Sequence, residues 1–289
     1  MASLLSSQAL GCAPPIPDLT PLALVARQNI AADSSERTDG LTFTTPDDDS
    51  VSAYLRRPAT APAEGLAAVV LVAGRETGRR AASVIPGPLE VAVLAVEYPA
   101  ALPEDLGVGA LLGRLPAIRE SALEMPGILR GAARFLAAQQ EVDSTRIALV
   151  GVSFGVPFAA AAGHDPIFRG VALHHGGGDL DLLLRANLAV ENRLLRAIAA
   201  DALAWYFRSL DPARHVADIA PRPLLLINGS EDTMVPRASA RLLVTRAEGP
   251  VEQIWLPHGH LMPGDTALMR ELADSTLSHF DFLPRGGGR

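Results

Sequence analysis

The chain of 289 residues contains no lysine; all 25 of its basic residues are arginine. That absence removes whole classes of chemistry. A phosphate-binding P-loop needs a lysine, and Schiff-base and Ser-Lys enzymes need its amine. Cysteine is almost as scarce. Cys12 stands alone, so no disulfide forms within the chain. No apolar run is long enough to cross a bilayer. Positive charge is short as well. The net charge is -7 and no arginine cluster resembles a basic groove, which argues against a nucleic-acid partner. The acidic balance reads as a matter of solubility.

What is present is ordinary for a globular protein with a sizeable core: 48% hydrophobic and 20% charged residues. The length suits one large α/β domain or two small ones. The bias towards Ala, Arg, Gly and Pro points to a GC-rich bacterial genome. Met1 to Cys12 is mildly apolar without a basic start. Its Ala9-Leu10-Gly11-Cys12 loosely resembles a lipoprotein cleavage box, so both a cytoplasmic and an exported protein stay open. Residues 1–40 are expected to form an extended N-terminal arm, with Pro14, Pro15, Pro17 and Pro21 excluding helix.

Residues 41–45 and 51–57 read as two strands joined by Thr45-Pro46-Asp47-Asp48-Asp49-Ser50, a solvated hairpin tip. Continuous apolar runs at 67–72, 91–96, 146–150, 170–173, 223–227 and 251–256 are expected for strands buried on both faces. Helical spacing covers 119–139, the stretch from about 157 to 162, 237–247 and 266–281. The alternation implies a mainly parallel sheet with helices on both faces. Residues 179–210 add helix without a strand. They read as a small cap over the carboxyl ends of the strands, where open α/β sheets bind ligands. Residues 284–289 are expected to be a flexible tail.

The pentapeptide Gly151-Val152-Ser153-Phe154-Gly155 follows the run Arg146-Ile147-Ala148-Leu149-Val150 directly. It reads as a strand, a tight turn carrying serine, and a helix. A serine on such a turn needs neighbours without side chains, and it sits where free N–H groups favour a developing negative charge. After the strand Leu224-Leu225-Leu226-Ile227 comes Asn228-Gly229-Ser230-Glu231-Asp232, which supplies an acid; Asp232 is the first choice and Glu231 the alternative. After Leu256 comes Pro257-His258-Gly259-His260. His260 is the expected general base and His258 the alternative. The oxyanion donors are expected to be the N–H of Phe154 and that of Arg75, in the loop Ala73-Gly74-Arg75-Glu76-Thr77-Gly78.

These segments, in this order, resemble the α/β-hydrolase superfamily, and most closely its dienelactone-hydrolase-like and prolyl-oligopeptidase-like branch, over roughly residues 41–283. The resemblance implies a Ser-His-Asp mechanism with Ser153, His260 and Asp232, an acyl-enzyme, and no metal or organic cofactor. Its expected substrate is a small-molecule carboxylic ester with a small to medium acyl group. Two features depart from the pattern. Ala73-Gly74 stands where His-Gly is frequent, and Val156 stands where a further glycine is. A peptidase, amidase or thioesterase of the same fold is the alternative, and after it a non-catalytic binding protein of this fold.

Three further segments carry patterns of their own. Gly107-Val108-Gly109-Ala110-Leu111-Leu112-Gly113 departs from the dinucleotide fingerprint and reads as a loop. His174-His175-Gly176-Gly177-Gly178-Asp179 reads as a turn or, through His175, as part of the substrate pocket. Trp205, with Tyr206 and Phe207, reads either as an acyl-pocket wall or as simple helix packing.

Overall fold

The computed structural model describes residues 15–17, 22–99 and 108–282. The cleavage-box segment and the tail lie outside them. Three strands open the chain: β1 (Ala23–Ala32), β2 (Glu36–Thr44) and β3 (Ser50–Pro58). Six more follow: β4 (Leu66–Val72), β5 (Ala92–Val96), β6 (Val142–Val152), β7 (Gly170–His174), β8 (Leu224–Gly229) and β9 (Val251–Leu256). Among the described residues these form one sheet in the order β1-β2-β3-β5-β4-β6-β7-β8-β9. The first three run antiparallel, as does the β3–β5 pair; every pair from β5 through β4 to β9 is parallel.

β1 is the one strand with no counterpart in the sequence reading. It lies on the edge with every residue exposed, so burial imposes no apolar period on it. Its pairing with β2 slips twice, between Leu24 and Ala26 and between Asn29 and Ala31, and such bulges blunt an open edge. A buried carboxylate ties the hairpin together: Asp39 meets Arg27 at 2.6 Å and Arg57 at 3.3 Å.

The helices are α1 (Ala81–Val84), α2 (Val108–Ala137), α3 (Val156–Ala162), α4 (Leu180–Asn187), α5 (Arg193–Tyr206), α6 (Arg237–Arg246) and α7 (Thr266–His279). The glycine-rich segment read as a loop is a correction. From Val108 onward it is the first turns of α2. Ala110, Leu111 and Leu112 favour helix strongly enough to carry it past Gly109 and Gly113.

The period of two in the central strands divides the core into two layers. Ala68, Val70 and Val72 of β4 join Leu94, Leu149 and Leu173 beneath α2 and α3. Val69 and Leu71, with Val93, Ala148, Val150 and Ala172, face α1 and α7. The apolar runs are continuous because both faces of these strands are covered. The two covers differ greatly in length: α2 has 30 residues and α1 has 4.

α4 and α5 stand beyond the end of β7, packed on each other. Asp179 caps α4, accepting from the N–H groups of Asp181 and Leu182, and Asn192 caps α5 in the same way. Asn187 donates to the Met234 carbonyl at 2.8 Å, anchoring the pair to the loop after β8.

Candidate active site

β6 delivers Ser153 at its carboxyl end. The residue has a φ of +54°, left-handed backbone that a non-glycine residue adopts only under constraint. The two flanking glycines are required by close approach. A Cβ on Gly155 would sit 2.1 Å from the Val72 carbonyl oxygen, and one on Gly151 would sit 2.5 Å from Ala159 Cβ. Val156 leads straight into α3 and is wholly buried.

Asp232 lies in the loop after β8 and His260 in the loop after β9. Backbone bonds hold these loops together: Ser230 N–H donates to Leu256 O at 2.7 Å and Glu231 N–H to His258 O at 3.1 Å. The Asp232 carboxylate is enclosed. Oδ1 accepts from the N–H groups of Met234 at 2.8 Å and Val235 at 3.0 Å. Oδ2 accepts from His260 Nδ1 at 2.8 Å and from His175 Nδ1 at 3.1 Å. Burial alone would raise this carboxyl; the hydrogen bonds from His175 and His260 outweigh it and hold the group well below the usual carboxylate range.

With Nδ1 of His260 donating to Asp232, Nε2 is left as an acceptor, and it stands 2.7 Å from Ser153 Oγ. The sequence thus pointed to three residues that the chain brings into one hydrogen-bonded line. His258 is turned away, half exposed and 3.8 Å from Glu271. The Glu231 side chain is exposed. His175, Asp232 and His260 also lie close enough to hold a metal ion. Their facing atoms are already committed to one another and to Ser153.

A cavity of about 360 Å³ opens at Ser153. Phe154 and Arg75, the expected oxyanion donors, both border it beside Ser153 and His260. The loop carrying Arg75 is fixed on both sides. The Tyr98 hydroxyl donates to Ala73 O, and Gly74 O accepts from Thr77 N–H, Gly78 N–H and the Thr77 hydroxyl. Burial pushes the Tyr98 phenol far up, so it stays a donor. The neighbouring Glu97 accepts from Arg79 N–H and holds the turn at Gly78.

Two expected pocket residues are corrected. His175 is completely buried and does not line the cavity; its place is behind Asp232. Its Nε2 has no partner among the described residues. Of the adjacent pair, it is His174, the last residue of β7, that lines the cavity; His175 follows it with a φ of +50°. His174 Nε2 lies 3.0 Å from the Thr276 hydroxyl, which itself donates to Leu272 O. His174 is therefore the donor of that bond, and burial pushes it down to about 3. Trp205 also lies away from the cavity. It is 51% exposed beneath the Arg208 guanidinium, and no residue of 179–210 lines the cavity. The cap packs beside the entrance and leaves it uncovered.

A sequence signal for His175 did exist. β7 and β8 are neighbours, so a polar residue leaving β7 lands beside the acid leaving β8. Tyr98 and Glu97 gave none, since their partners lie about 20 residues upstream in the chain.

A parallel sheet, a strained serine between β6 and α3, and an acid and a histidine after the last two strands are now in place. This is the α/β-hydrolase fold. Solved hydrolases superpose on it. An acetyl xylan esterase from a Paenibacillus species is 19% identical, covering 88% of this chain and 89% of its own, with a TM-score of 0.64. A puromycin-hydrolysing peptidase from Mycobacterium tuberculosis is 19% identical, covering 90% of this chain and 48% of its own, with a TM-score of 0.60. An esterase domain from Rhodothermus marinus is 20% identical, covering 84% and 97%, with a TM-score of 0.54. In sequence, the prolyl oligopeptidase family matches this chain over residues 129–264, from within α2 to just past His260. No curated protein matches the chain.

Proposed function

We propose that this protein is a serine hydrolase that cleaves carboxylic esters of small molecules. The observation that carries the reading is the unbroken line Ser153 Oγ, His260 Nε2, His260 Nδ1, Asp232 Oδ2, with contacts of 2.7 and 2.8 Å, opening on an apolar cavity. In the first half-reaction Ser153 Oγ bonds to the ester carbonyl carbon while His260 takes the hydroxyl proton. The oxyanion is met by the N–H groups of Phe154 and Arg75. The carbon–oxygen bond to the alcohol then breaks, and His260 returns the proton to the departing oxygen. In the second half-reaction water attacks the acyl-enzyme with His260 again as base. The free acid leaves and the Ser153 hydroxyl is restored.

Asp232 stays ionised through both steps. It orients the imidazole and stabilises the imidazolium. The neighbours named as esterases and the match to a peptidase family both fit this machinery. The test is turnover of p-nitrophenyl acetate and butyrate by the wild type and by Ser153→Ala. Ester hydrolysis lost in the variant supports the reading. Cleavage of peptide anilides without ester turnover replaces it with an amidase.

A further inference from the structure

The cavity does not lie where the cap was expected to enclose it. It runs from Ser153 under the sheet, between the strands β4 and β5 and the helix α7. Its walls are apolar: Leu71 and Val93 from the sheet, Leu89 and Ile85 from the stretch after α1, and Met269 and Leu272 from α7. It exists because α1 ends after one turn and leaves a gap in the cover of this face, bordered on the other side by α7. The charged residues that line it, Arg75 and Glu76, belong to the loop beside Ser153. Its polar interior groups, His174 and Thr276, are spent on each other. The entrance carries exposed apolar side chains, Phe154, Met234 and Met262.

We infer that this cavity receives the acyl chain of the substrate, and that the preferred esters carry an unbranched apolar acyl group of medium length rather than acetate. The inference rests on the ester-hydrolase reading above and sharpens it. Size supports it: at about 30 Å³ for a water-sized group, the cavity holds on the order of ten such groups. An acetyl group would leave most of it empty. Chemistry supports it too. A sugar or peptide placed here would lose its water and find no free partners, whereas a hydrocarbon loses nothing. The half of the ester that stays bonded to Ser153 until water arrives is the acyl half. A long chain held between sheet and helix is therefore best suited to that half, leaving the alcohol free to depart.

The test is kcat/KM across p-nitrophenyl esters from acetate to palmitate, for the wild type, Ala273→Phe and Val93→Phe. The two substitutions fill the cavity from α7 and from β5. In the wild type each added methylene should raise kcat/KM roughly fourfold until the cavity is full, near the decanoyl ester. In both variants the ratio of decanoate to acetate turnover should fall by about tenfold or more. Dodecyl acetate, with its chain in the alcohol, should behave as a short ester. A profile that is flat or falls from acetate, or a ratio unchanged in both folded variants, overturns the inference while leaving the hydrolase reading intact. So does dodecyl acetate outpacing methyl dodecanoate. Calorimetric titration of the same proteins with decanoate separates the two claims. If no ester is hydrolysed but decanoate binds the wild type and not the variants, the cavity assignment holds and the hydrolase reading fails. If decanoate does not bind and no ester is turned over, both fail.

Discussion

Along β4, Val70 and Val72 meet solid helix, while Val69 and Leu71, one residue out of phase, look onto open space. The two faces are made by the same strands with the same kind of residue. One is filled by Met125, Ile128 and Leu129 of a long helix and Phe158 of α3; the other is covered by a helix of one turn and by α7, with the cavity between them. The strand sequence sets that both faces are apolar. The length of the covering helix sets whether a face becomes core or pocket. An interior normally packs to near crystal density. A void beside a nucleophile is therefore a place where the chain has withheld a side chain that folding would otherwise favour.

Four changes test the difference between the two faces and the site at their junction. The largest effect falls at the point where the two faces meet, the end of β6. Ser153→Ala should lower kcat for ester hydrolysis by roughly 10⁶-fold with little change in thermal stability, read by steady-state kinetics and a melting curve. A rate within tenfold of the wild type would place the nucleophile elsewhere. Next come matched truncations on the two faces. Leu149→Ala, under α2 and α3, should cost about 3–5 kcal/mol in urea unfolding. Leu71→Ala, whose side chain already borders the cavity, should cost about 2 kcal/mol. Equal costs would mean that the open face is closed in solution.

The third change uses the adjacent histidines, which the turn after β7 sends to different places. His175→Phe should lower kcat/KM by about 10²-fold, because Asp232 loses the donor that fixes its second contact. A kcat/KM within about threefold of the wild type would reduce His175 to simple packing. The last change concerns His174, whose effect shows only in acid. Its ordinary value is 6.5 and burial lowers it to about 3. Below about 6.5 the unfolded chain takes up a proton that the folded one refuses. Stability is therefore complete above that value and is lost as the pH falls towards 3, at about 1.4 kcal/mol per pH unit. His174→Gln should flatten that slope. An equally steep slope in the variant would assign the acid sensitivity to other groups.

Much of this was legible in the sequence, for physical reasons. The parallel strands showed as unbroken apolar runs because both faces are covered. The elbow showed because Gly151 and Gly155 tolerate no Cβ. Ser153, Asp232 and His260 could be ordered along the chain because each follows its own strand. What stayed hidden depended on contacts distant in sequence or on a missing length of helix. β1 carries no period because nothing buries it. The cap offered Trp205 as a pocket wall, yet its ring packs under Arg208. His175 looked like a pocket residue because it neighbours one; only the pairing of β7 with β8 puts it behind the acid.

The backbone bonds between the loops after β8 and β9 have a mechanical consequence. Asp232 and His260 ride on one stiff body, clamped by Ser230 and Glu231 to the segment just before the histidine. Ser153 rides on another, the junction of β6 and α3. A proton relay of three residues would ordinarily have two joints that can drift. Here the joint between the two bodies is the 2.7 Å contact of the serine with the imidazole.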